Sequence, residues 1–133
     1  MAEKSDGCSC CSAPKLILPC SGGSDVGEIT DRAARKLTRE GAGKMSCLAG
    51  IGGRVSGIMA SAEAAAAVLA IDGCPLECAR NTLEQAGFKG FLYLRLHDLG
   101  FAKGGSPVTE ERVAAAAAKG AELLAGKKEG CCD

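Results

Sequence analysis

The chain of 133 residues has no tryptophan, one tyrosine, three phenylalanines and a single histidine. So few aromatics leave no stacking platform for bases or sugar rings. Neither sign of charge is in excess, since 16 basic side chains balance 16 acidic ones. The two signs are interspersed, so the basic face that a nucleic-acid binder needs is absent and no nucleic-acid partner is expected. No run of about 18 uncharged apolar residues occurs, which excludes a helical membrane span and makes a membrane partner unexpected. The opening MAEKSDGCSCC lacks the apolar stretch of a secretory signal. A cytoplasmic location is therefore expected.

Cysteine, by contrast, is abundant: the chain has nine. In a reducing compartment such a count points to metal or thiol chemistry rather than to a disulfide framework, and an odd number cannot pair fully. The nine fall into three groups. Cys8, Cys10 and Cys11 lie in a polar Ser/Gly/Lys segment, and Cys131 and Cys132 follow Lys127, Lys128 and Glu129. Cys20, Cys47, Cys74 and Cys78 lie among the periodic segments.

Those segments alternate between strand and helix patterns. The apolar run from Lys15 to Pro19 reads as a first strand, followed by the Gly-rich turn CSGGSDVGE. Asp25 is placed to cap the next helix, with Glu28 closing a capping box. Val26, Ile29, Ala33 and Leu37 recur at helical spacing, and Gly41 ends the helix. GKMSCLAG reads as a second strand ending near Cys47. A helix is expected from about Arg54 to Glu63, then a third strand over Ala67 to Asp72. Pro75 suits a first helical position, which makes Cys74 the expected N-cap and gives a stripe of Leu76, Ala79, Leu83 and Ala86. Phe91 to Leu96 reads as a fourth strand. A last helix opens near Thr109, with Val113, Ala117, Gly120 and Leu124 facing inward and Lys127 and Lys128 at its C-terminal dipole.

The expected fold class is α/β. One domain over residues 15–126 forms an open, mostly parallel sheet of about four strands with helices on both faces, a Rossmann-like or flavodoxin-like three-layer arrangement. Residues 1–14 and 127–133 read as mobile, cysteine-containing tails.

In such sheets, ligands bind outside the carboxyl ends of the strands. Cys20 follows the first strand, Cys47 ends the second, Cys74 follows the third, and Cys78 lies four residues on. The four thiols thus converge on one sheet edge as a candidate metal or redox site. Tetrahedral zinc takes four such ligands. Cys74 and Cys78, one helical turn apart, would lie roughly 5–6 Å apart at Cβ. That spacing suits a shared metal, although a three-thiolate site with an open position is equally allowed. Helix N-termini and Arg54 are expected to offset the thiolate charge. Small buried cysteines in a core are the plain alternative for any one of them.

Other motifs carry less. CSGGSDV has Val26 where a thiol phosphatase loop places its anion-gripping arginine, and neither a nucleotide P-loop nor a GxGxxG motif is present. His97 reads as an exposed loop residue, and Asp72 as a turn cap or as an orienting partner for a ligand.

PCSGGSDVGEITDRAARKL, GKMSCLAGIGG and IDGCPLECARNTLEQAGF, in that order, resemble the DGC-domain family, small prokaryotic proteins named after the Asp-Gly-Cys motif, here Asp72-Gly73-Cys74. The resemblance spans roughly Lys15 to Leu124. It implies a zinc-binding role, structural or metal-handling, with Cys20, Cys47, Cys74 and Cys78 as the motif cysteines. The competing class is a thiol-dependent enzyme for redox or transfer chemistry, with Cys20 or Cys74 as a nucleophile activated at a helix N-terminus.

Overall fold

A computed structural model describes residues 13–126. The expected tails, apart from Ala13 and Pro14, lie outside the described residues, as do Lys127 and Lys128. The order of elements is β1 (Lys15–Pro19), α1 (Asp25–Arg39), β2 (Lys44–Met45), α2 (Leu48–Gly52), α3 (Ser56–Ala64), β3 (Ala67–Asp72), α4 (Cys78–Gln85), β4 (Leu92–Arg95) and α5 (Glu110–Ala125), with a 3-10 turn at Leu96–Leu99. The third strand has its expected limits, because VLAI is apolar throughout and every residue of β3 is buried.

The four strands are parallel, in the spatial order β2-β1-β3-β4. Alternate residues of each strand face opposite layers. Ile17, Leu69 and Ile71 pack against α1 and α5 through Ile29, Leu37 and Ala117. Leu16, Leu18, Val68 and Ala70 pack on the other face against Ile51, Ala62, Ala79 and Leu83 of α2, α3 and α4. The expected three-layer α/β fold is present. The inward stripes of α1 (Val26, Ile29, Ala33, Leu37) and α5 (Val113, Ala117, Gly120, Leu124) are buried in full. Truncating a leucine such as Leu37, with no exposed surface, would leave a cavity costing about 2–5 kcal/mol.

Four local expectations need correction. Ser24, not Asp25, caps α1, its hydroxyl accepting from the N–H of Gly27 at 3.1 Å. The second strand shrinks to Lys44–Met45: the Ser46 N–H makes the last ladder bond, to the Ile17 carbonyl, and Cys47 then becomes the N-cap of α2. The helix expected from about Arg54 to Glu63 is α3, but the stretch expected as a Gly-rich turn before it forms a short helix of its own, α2, and Arg54 in a left-handed conformation (φ 57°) separates the two. Finally, α4 starts at Cys78 rather than at Pro75, which leaves Cys74 to Glu77 as a turn and Leu76 65% exposed instead of in the buried stripe. Cys74 and Cys78 therefore do not share a helix face.

Candidate functional site

The strand order contains one reversal. From β1 the chain crosses to β2 on one side, then returns past β1 to β3 on the other. A crevice opens outside the carboxyl ends of β1 and β3, where the two connections part; in open α/β sheets this is where ligands bind. Cys20 leaves β1 there, and Cys74 and Cys78 follow β3. These three line a single cleft of about 530 Å³, together with Gly22, Gly23, Ser24, Gly27, Gly73, Leu76 and Lys103.

Cys47 does not line it. It follows β2, on the far side of β1 from β3, and is exposed. The topology thus brings three of the four candidate cysteines together. Cys20 and Cys74 are half-buried, while Cys78 is exposed. Burial, and then the nearby negative charge of Asp72 and the thiols of Cys20 and Cys74, push the Cys78 thiol up from its ordinary value. As placed, no three His, Cys, Asp or Glu side chains among the described residues are gathered closely enough to hold one ion. The donor chemistry suits a soft metal, but the side-chain arrangement does not yet enclose one.

Each wall of the cleft has a physical cause. After Cys20, Ser21 adopts φ 51°, a left-handed conformation uncommon outside glycine. Two bonds hold it: its N–H donates to Thr30 Oγ1 at 3.1 Å, and its hydroxyl donates to Asp31 at 2.8 Å. Burial works against the Asp31 carboxylate, but hydrogen bonds from Arg35 and Ser21 keep it below the usual range. Thr30 is fully buried, its hydroxyl donates to the Gly27 carbonyl at 2.7 Å, and it sits 3.5 Å from Cys20 Sγ. The turn folds back so tightly that a Cβ on Gly27 would lie 2.5 Å from the Gly22 oxygen. A Cβ on Gly73 would lie 2.8 Å from the backbone of Val26, so the Asp-Gly-Cys turn and the α1 N-terminus meet backbone to backbone.

Asp72, at the end of β3, is 1% exposed. It accepts from the N–H groups of Ala79 at 2.8 Å and Arg80 at 3.0 Å, and from the hydroxyl of Tyr93 at 2.8 Å. Burial and the bond to Asp72 both raise the tyrosine above its ordinary value, so it stays a donor. Asp72 is therefore a cap for α4 supplied from across the turn, and it positions Cys78. Glu77, just before Cys78, is left-handed as well (φ 59°) and is held by Arg95 at 2.9 Å.

Lys103 comes from the loop before α5. Asp25 accepts from the N–H groups of Gly104 at 2.9 Å and Ser106 at 3.1 Å, which pins that loop beside the cleft. Those bonds, Gly104 first, hold its carboxyl below the usual value. Lys103 forms no ion pair among the described residues. Arg54, expected to compensate thiolate charge, instead donates to the carbonyls of Ile51, Gly52 and Gln85. His97 is exposed in the 3-10 turn and does not line the cleft. No local pattern marks Lys103, Thr30 or Tyr93 in the sequence, because each joins the site through a contact distant along the chain.

Residues 16–119 match the DGC domain. The chain belongs to the DGC-domain family. Its Asp72-Gly73-Cys74 turn is the family's namesake motif, seated at the strand-order reversal. This DGC domain is also similar to the anaerobic and virulence modulator AnvM of Pseudomonas aeruginosa strain PAO1, with 36% identity over 88 residues, covering 66% of this chain and 67% of that protein. No solved structure matches. Among the described residues of the DGC domain, no helix is long and apolar enough to cross a membrane.

Proposed function

We propose that this DGC domain binds a soft cation, zinc first, through Cys20, Cys74 and Cys78, in a structural or metal-handling role. The observation that supports this reading is the placement of three thiols from two separate strand–helix turns on one cleft. Thiolates select zinc or Cu(I) over hard cations. The N-terminal end of α1 and the Lys103 ammonium offset part of the thiolate charge. Cys20, Cys74 and Cys78 would hold the ion through their thiolate sulfurs. A fourth position is then left for a ligand other than Cys47. AnvM is named as a modulator, and a regulatory use of a metal-loaded cleft is in keeping with that name.

A second reading, thiol-dependent chemistry at Cys20, draws on its place on the cleft beside Ser24 and Gly27 at the N-terminal end of α1. The lack of an imidazole base on the cleft weighs against it.

Zinc retained after dialysis against a mild chelator separates the two, measured together with alkylation rates of the thiols. Serine at Cys20, Cys74 or Cys78 is expected to weaken retention at this cleft about tenfold or more, whereas Cys47→Ser leaves it unchanged. The metal reading is overturned if the three single variants retain zinc like the parent chain. A Cys20 thiol that alkylates rapidly without chelator would then favour the second reading.

A further inference from the structure

The cleft that carries Cys20, Cys74 and Cys78 is larger than one ion requires. Its volume of about 530 Å³ lies in the range that holds a small organic molecule. The space beside the thiols is open: a Cβ added to Gly23 would meet nothing within 4 Å, and one added to Gly22 only Cys20 Sγ, at 3.9 Å. Among the described residues, Lys103 is the one charged side chain on the walls. It is exposed, and the bonds from Gly104 and Ser106 to Asp25 hold its loop in place. One ammonium fixed beside three thiols favours a ligand that is anionic and reacts with sulfur.

The chemistry narrows the ligand further. The cleft has no imidazole base, which limits most thiol catalysis but not exchange with a disulfide. In that reaction the attacking group is the thiolate itself, and the departing group is a second thiolate. We infer that the cleft is a site of reversible S-thiolation by a small anionic disulfide, selected by Lys103. A cleft thiolate attacks one sulfur of the ligand's S–S bond. The cysteine becomes bonded to that half as the old S–S bond breaks. The other half leaves as a thiolate and takes a proton from solvent. The cysteine is oxidised, and the departing thiol is the reduced product. The carboxylate of the retained half pairs with the Lys103 ammonium. This modification uses the three-thiol cleft of the metal reading but needs no metal. Cys47, exposed and outside the cleft, is an internal control.

The test follows mixed-disulfide formation by peptide mass spectrometry on the full chain, reduced and freed of metal. The probes are dithiodiglycolate, which carries a carboxylate on each half, and cystamine, which carries an ammonium on each half. Each rate at Cys20, Cys74 and Cys78 is divided by the rate at Cys47 in the same chain, which cancels the intrinsic reactivity of the probe. At low salt the fastest cleft cysteine is expected to give a ratio about fivefold higher with dithiodiglycolate than with cystamine. Lys103→Gln should bring the two ratios within about twofold of each other, and Lys103→Arg should keep them apart. Lys103 is exposed, so neither change disturbs the packing. Equal ratios for the two probes in the parent chain overturn the inference. So does a preference that survives Lys103→Gln, since the selectivity then arises elsewhere. Loss of the preference in Lys103→Arg overturns it too, because charge is then not its cause. Zinc retention is measured separately, so failure of the metal reading leaves these ratios as they stand.

Discussion

The Tyr93 hydroxyl donates to the buried carboxylate of Asp72 at 2.8 Å, tying β4 to the turn that carries Cys74 and Cys78. Asp72 also accepts from two backbone N–H groups at the start of α4. One carboxylate thus fixes three chain segments around the cleft. Tyr93→Phe removes one charged hydrogen bond and is expected to cost about 1.5–3 kcal/mol. Asp72→Asn swaps one acceptor oxygen for a donor that faces an N–H or O–H, and is expected to cost at least as much. Because the two share a bond, their effects in urea unfolding should fall short of additive. Additive losses would show that the hydroxyl and the carboxylate act separately.

Gly73 is required by proximity rather than by its backbone angle. Gly73→Ala drives a methyl group into the backbone of Val26, and Gly27→Ala drives one into that of Gly22. Each is expected to lower stability by about 1–3 kcal/mol, since neither neighbour is a flexible side-chain end. Gly23, with nothing within 4 Å of an added Cβ, is the control. Gly23→Ala should melt within about 1 °C of the parent, a shift of a few tenths of a kcal/mol at most.

How much of this was legible in the sequence differs by element. Periodicity was enough for α1, α5 and β3, whose buried positions follow from spacing alone. The start of α4 is not legible, because Pro75 gives a competing local helix signal. The cap that decides the matter is Asp72, whose carboxylate takes the N–H groups seven and eight residues on. The convergence of Cys20 with Cys74 was legible once the strands were placed. The separation of Cys47 was not, since it depends on β2 lying outside β1 in the sheet. Lys103 was invisible, because Asp25 reaches 79 residues along the chain to hold its loop.

That same clamp predicts acid sensitivity. The Asp25 carboxyl sits below its ordinary value of 3.8 in the folded chain, chiefly through the Gly104 N–H. Its contribution is therefore present above the unfolded value, and it is lost as pH falls through the lower folded value. Urea unfolding between pH 6 and pH 2 should show this loss setting in near pH 4. Asp25→Asn removes the Asp25 part of the slope. If the slope is identical in the variant, other carboxylates account for acid unfolding. The loop with Lys103 should also gain faster amide exchange at Gly104 and Ser106 in Asp25→Ala.

Glu77 sets two effects against each other. Its left-handed backbone (φ 59°) is costly for any side chain with a Cβ, by roughly 1–2 kcal/mol. Its carboxylate meanwhile pairs with Arg95 at 2.9 Å and lies 3.7 Å from Arg80. Those pairs are partly exposed, so they contribute at most about 1 kcal/mol together. Glu77→Ala keeps the strain and loses the pairs, and should be less stable than the parent. Glu77→Gly loses the same pairs but relieves the strain, and should exceed Glu77→Ala by about 1 kcal/mol even after the extra freedom of glycine in the unfolded chain is counted. Were glycine to fall below alanine instead, the backbone at Glu77 would be unstrained. The conformation that presents Cys78 to the cleft would then be set by Asp72 alone.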